Sequence, residues 1–231
     1  MILRPARLVA LCLGLAALAA CAKNDLAEPP VPLGEFGLGL NIVVADNIQM
    51  VPISRPADPK DWEAAIQKAI DDRFGEKRYQ GSKLYNVGIN IDAYALAPPG
   101  IPLVAAPKSV VVISANIWDD AARKKLNPEA EQMTVFEGLS GDTMIGSGLT
   151  KTKKQQMDTL AYNAAKRVED WLLTHPEWFG MTPEQLKAAL AARDAQIAAD
   201  KKASAAAAAP ATPAAAPAPA AGAGPVAPAS N

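Results

Sequence analysis

Apolar and polar residues alternate with two different periods along this chain, and the switches between them outline the elements. In 36–51, FGLGLNIVVADNIQMV, Leu38, Leu40, Ile42 and Val44 alternate with Gly37, Gly39 and Asn41, a strand period. The glycines mark a bulge or an edge. The stretch ADPKDWEAAIQKAIDDRFG shifts to a helical period, with Trp62, Ala65, Ile66, Ala69, Ile70 and Phe74 on one face. Asp58 is placed to cap this helix, Pro59 suits its first position, Asp61 suits its positive end and Gly75 its C-terminal exit.

The period-2 pattern returns in 82–96. Tyr85, Val87, Ile89, Ile91, Ala93 and Ala95 form an apolar face, and Asn86, Gly88, Asn90, Asp92 and Tyr94 a polar one. One wet face is the mark of an antiparallel sheet. KSVVVISANIW (108–118) and QMTVFEG (132–138) read as a hairpin around a charged excursion with an Asn127-Pro128 turn signal. Thr143–Ile145 is a candidate further short strand. A second helix spans about 151–174, with Met157, Leu160, Ala161, Ala164, Val168, Trp171 and Leu172 on one side. Pro176 ends it, and Trp178 and Phe179 fold back on the core. Thr182, Pro183 and Gln185 then open a third helix in capping-box fashion. Its stripe, Leu186, Leu190 and Ile197, is thin, so it either lies loosely on the domain or projects.

The order of elements specifies an α+β fold: an antiparallel or mixed sheet of about four strands, two amphipathic helices on one face, a C-terminal helix and a disordered tail. By residue, 36–180 form the domain, 181–202 the appended alanine-rich helix and 203–231 the disordered Ala/Pro-rich tail. Residues 22–35, AKNDLAEPPVPLGE, carry three prolines and no apolar period, and with Cys21 they read as a flexible tether.

The N-terminus begins MILRPAR, continues LVALCLGLAA and closes on Leu18-Ala19-Ala20-Cys21. Two arginines before about ten apolar residues have the make-up of a secretory signal, too short to span a bilayer. Leu18-Ala19-Ala20-Cys21 resembles the lipobox of bacterial lipoproteins. The resemblance implies cleavage after residue 20, a diacylglyceryl group on Cys21 and acylation of the new amine. An ordinary cleaved signal followed by a chance cysteine is the competing reading. Cys12 would leave with residues 1–20, so no disulfide is available to the mature chain. Acyl chains on Cys21 suffice for lasting attachment to the membrane, at about 0.8 kcal/mol per buried methylene. Ala22 resembles the residue after the cysteine in lipoproteins sorted to the outer rather than the inner membrane.

Composition removes several classes of function. The chain carries 23 basic and 24 acidic residues. Loss of Arg4 and Arg7 with the signal makes it more acidic still, which argues against nucleic acid as a partner. His175 is the one histidine, so a zinc site of Cys and His cannot be assembled, and the residue reads as a helix-end group. GDTMIGSG (141–148) has phosphate-loop spacing without the Lys-Ser/Thr pair, and it lacks the serine-hydrolase elbow. Its weak alternative is an anion held on backbone amides beside Lys151, Lys153 and Lys154. Asp119-Asp120 would point to opposite faces of a strand, and Arg123, Lys124 and Lys125 form a solvated run, with contact to anionic lipid headgroups as the alternative. Trp118 beside them is the tryptophan whose exposure matters most.

The expectation is therefore a non-enzymatic envelope lipoprotein facing the periplasm, without catalytic, metal or cofactor residues, whose domain binds an envelope protein partner. The alternative is a carrier for a lipid or other small envelope ligand, its pocket rimmed by 97–107 and 138–148. Asn86, Asn90, Asp92 and Tyr94 mark the face from which a partner would be sought.

Overall fold

The computed structural model describes residues 25–99, 109–138 and 150–208. The expected signal, Cys21, the candidate strand at 143–145 and the residues from 209 on lie outside them.

The architecture is α+β, with a six-stranded mixed sheet. The strands are β1 (Phe36–Val44), β2 (Gln49–Met50), β3 (Lys83–Ala95), β4 (Val110–Asp119), β5 (Lys124–Lys125) and β6 (Glu131–Phe136). The helices are α1 (Pro59–Phe74), α2 (Lys153–Leu172) and α3 (Pro183–Ala208). β1 and β3 run parallel across the α1 connection, whereas β4 is antiparallel to β3 and to β6. Two-residue β2 continues the row of β1 against β3, and β5 pairs the far end of β4.

Helices α1 and α2 cover one face. Trp62, Ile66, Ile70 and Phe74 of α1 and Leu160, Ala164, Val168 and Leu172 of α2 are fully buried against Val87, Ile89, Ile91, Val111, Ile113 and Ile117 of the sheet. Phe36, Phe74, Tyr79, Tyr85 and Phe179 close one end, with Phe36 stacked on Tyr85 at 5.5 Å. Phe179 does fold back, on a 3-10 turn (Pro176–Phe179) released by Gly180 at φ +74°. Asn127 ties the 120–130 excursion to the hairpin, accepting from the Ile117 amide at 3.0 Å and donating to the Ala115 carbonyl at 3.2 Å.

The caps follow the sequence with one difference. Asp58 accepts from the Lys60 amide, Thr152 and Gln155 form a capping box, and Thr182 and Gln185 exchange the same two bonds. Gly75 does not take a left-handed exit; it is extended. It is glycine because a Cβ would lie 2.4 Å from the Asp71 carbonyl.

Two bulges overturn the simple alternation. Leu38 pairs with Tyr85 but Asn41 with Val87, so β1 carries an extra residue there. Leu38 therefore packs inward, whereas Leu40, Ile42 and Val44 point out of the sheet's open face at 59%, 54% and 38% exposure. Asn41 turns in and donates to Gln67 and Asp71 of α1. β3 shifts between Ile91 and Ala93, which turns Tyr94 from the polar face into the core. Its ring lies 5.3 Å from Trp62, and its hydroxyl accepts from the Ala57 amide.

The stretch expected as a free tether is packed from Asp25 onward. Leu33 is buried, Arg78 donates to the carbonyls of Leu26 and Glu28, and Arg193 of α3 donates to that of Pro29. Prolines here fix an extended path along the domain instead of keeping it off. α3 continues to Ala208, because a run of alanines costs a helix nothing in propensity.

Candidate functional site

The bulge in β1 sets up a row of apolar side chains on the open face, where Leu84 and Phe136 are exposed as well. Gly39 has no room for a side chain: a Cβ would sit 2.4 Å from Asn86 Oδ1. That oxygen accepts from the Leu40 amide at 2.6 Å, and Asn86 Nδ2 donates to Asp120 Oδ1 at 2.8 Å. One asparagine thus holds the bulge and the β4 turn together. Next to it the half-buried Trp118 ring lies across Gly88, where a Cβ would come within 2.8 Å. Leu40, Ile42, Gly88 and Trp118 floor an open groove of about 370 Å³, rimmed by Asp119, Asp120 and Arg123. Beyond it, along the same edge of the sheet, Met50, Val51 and Ile53 are also exposed.

The groove has no paired-carboxylate chemistry. Asp119 accepts from the Ala122 amide at 2.8 Å and Asp120 is held by Asn86, so each carboxylate fixes the turn. Lys124 and Lys125 sit in β5 beside Trp118 and Asp119. Asp92, expected on the polar face, gathers Ser114 at 2.6 Å, Asn90 at 2.5 Å and Gln132 at 3.2 Å.

The His175 side chain makes no cap hydrogen bond. Its ring stacks on Trp178 at 3.9 Å, and Nδ1 lies 3.2 Å from Glu177 Oε1. Lys154 pairs with Asp158 at 2.8 Å and Lys151 reaches Glu137 at 3.4 Å, so two of the three lysines near 141–148 already have carboxylate partners. The 141–148 stretch itself lies outside the described residues, as does most of the 97–107 rim. Among the described residues no group of three His, Cys, Asp or Glu side chains could hold a metal ion.

A second polar centre, which sequence reasoning missed, joins the N-terminal segment to the helices. Arg73, 1% exposed, binds Glu169 Oε2 and Asp25 Oδ1, each at 2.7 Å. Tyr79 donates to Glu169 at 2.8 Å, Lys166 binds Asp25 at 2.8 Å, and the Tyr162 hydroxyl donates to Asp25. Burial raises the Asp25 pKa, but bonds from Arg73, Lys166 and Tyr162 outweigh it and hold the carboxyl well below the usual range. Burial also pushes the Tyr79 hydroxyl far above its ordinary value, with the Glu169 charge adding to it. The sequence did carry a signal: Arg73 continues the Ile66, Ile70 stripe, and a cation in an apolar stripe requires a buried carboxylate.

No family model matches the chain, and no curated protein does. Its fold is similar to several solved structures at low identity. A Xanthomonas campestris protein of the DUF330 family shares 13% identity over 67% of this chain and 95% of its own, with a TM-score of 0.36. A Caulobacter crescentus protein described as a candidate lipoprotein shares 12% over 58% and 90%, with a TM-score of 0.32. An Acinetobacter baumannii minor lipoprotein shares 11% over 56% and 92%, with a TM-score of 0.24. At these scores the likeness carries no functional argument. No described helix is long and apolar enough to cross a membrane.

Proposed function

We propose that this is an envelope lipoprotein, anchored by acyl chains on Cys21 and facing the periplasm, whose domain is a non-enzymatic module that binds a protein partner. The anchor rests on Leu18-Ala19-Ala20-Cys21, and the outer membrane is favoured over the inner by Ala22. The row of Leu40, Ile42 and Val44 on the open face carries the partner half of the reading. Three aliphatic side chains in line on an uncovered strand suit an extended protein surface. A carrier for a small lipid is less well supported, because these side chains spread along a strand instead of converging on an enclosed cavity, the usual form of such a site.

Three measurements test the proposal. Mass spectrometry of the mature protein should find a diacylglyceryl group on Cys21, and Cys21→Ser should move the protein to the soluble fraction. A photo-crosslinking residue at Ile42 in intact cells should give a discrete protein adduct that the same residue at Lys154, on α2, does not give. An unmodified Cys21, or equal labelling from both positions, would count against the reading.

A further inference from the structure

We infer that the anchored domain sits helix side down, with the outer faces of α1 and α2 around Asp25 toward the bilayer and the Leu40–Ile42–Trp118 groove turned away from it. This orientation rests on acylation of Cys21.

The argument is one of lengths. Asp25 is pinned by Arg73, Lys166 and Tyr162, and Leu26 lines an open pocket together with Ala65 and Ala69 of α1 and Ala161 of α2. Only residues 22–24 separate this clasp from Cys21. At no more than about 3.6 Å per residue, the leash from Cys21 to Asp25 reaches about 14 Å. The domain is thicker than that. A helix of about 10–12 Å and a sheet layer approaching 10 Å put the open face roughly 20 Å from the outer surface of the helices. With the groove on the headgroups, Asp25 would stand farther from the bilayer than its leash extends. A free tether of 21–35 would have allowed either face to approach; the clasp removes that freedom.

The surface turned toward the lipid has suitable chemistry. Lys68 pairs with Asp72 and Lys154 with Asp158 on it, with both lysines more than 70% exposed. These alternating charges make a hydrated, nearly neutral face that can lie close to headgroups without inserting. Lys201 binds Glu28 at 2.8 Å, so the last turns of α3 lie on the same flank. The groove is left to a partner that approaches from the periplasmic side.

The test uses the full-length acylated protein in phosphatidylethanolamine–phosphatidylglycerol vesicles that contain a lipid with a Ni²⁺-chelating headgroup. A nitroxide is placed on Lys154→Cys or, on the open face, on Thr134→Cys. The Lys154 label should be relaxed by surface Ni²⁺ several-fold more strongly than the Thr134 label. Ten Gly/Ser residues inserted between Lys23 and Asn24 should close the gap between the two. Equal relaxation in acylated, membrane-bound protein without the insert overturns the orientation and leaves the anchor standing. An unacylated Cys21, or release from vesicles by high salt, overturns the anchor and the orientation with it.

Discussion

The amide of Leu40 donates to the side-chain oxygen of Asn86 at 2.6 Å, and this bond keeps three aliphatic residues of β1 out of the core. It exists because residue 39 is glycine. A methyl group there would displace Asn86 and break its bonds to Leu40 and Asp120. Gly39→Ala should therefore cost about 1–3 kcal/mol in urea denaturation, the range for polar groups losing partners. Asn86→Ala should add little in the Gly39→Ala background, since both act through one contact. Additive losses would show that the bulge is held in some other way.

The outward row itself should be nearly silent in folding. Ile42→Ser removes a side chain that is 54% exposed, and its effect on stability should stay within about 0.5 kcal/mol. Ile66→Ala, in a fully buried position on α1, should cost about 2–5 kcal/mol. Urea midpoints of the two variants provide the comparison. A loss above about 2 kcal/mol for Ile42→Ser would mean that this face is part of the core.

Gly81 lies where the chain enters β3, so close to β1 that an added Cβ would come within 2.1 Å of the Glu35 carbonyl oxygen and 2.3 Å of the Phe36 oxygen. Both atoms are backbone, and they take part in the bonds from Lys83 to Glu35 and from Gly81 to Phe36. They cannot rotate aside as Asn86 can. Gly81→Ala should cost about 3 kcal/mol or more, a greater loss than Gly39→Ala, read as a lower melting temperature or as loss of soluble protein.

Periodicity made the helices, the strands and their order legible, because burial of one face imposes it on any sequence that folds this way. It failed where the backbone breaks its own period. Leu38, Leu40, Ile42 and Val44 read as one face because they are spaced by two, and only the extra residue at the bulge separates Leu38 from the others. Tyr94 failed for the same reason in β3. The clasp was hidden differently. Asp25 and Glu169 are 144 positions apart and meet only through Arg73, so no local pattern contains them. The proline-rich segment looked loose because its contacts are made by the domain's side chains with its carbonyls.

Acid should loosen the N-terminal clasp before it unfolds the domain. The Asp25 pKa is lower in the folded protein than the value of about 3.9 for an unperturbed aspartate. Its contribution is thus fully present well above pH 4 and declines as pH falls below that toward the folded value, where the carboxylate takes up a proton. Hydrogen-exchange protection of residues 26–35, measured against the intrinsic rate at each pH, should fall between pH 5 and 3 by more than that of β3. Asp25→Asn should abolish this extra acid sensitivity and show fast exchange in the segment at neutral pH as well. Asp25→Ala should lower stability by about 2–4 kcal/mol, because it leaves the buried Arg73 with one carboxylate partner instead of two. Unchanged exchange in both variants at neutral pH would mean that Leu33 and the Arg78 bonds hold the segment without Asp25, and that the clasp begins further from Cys21.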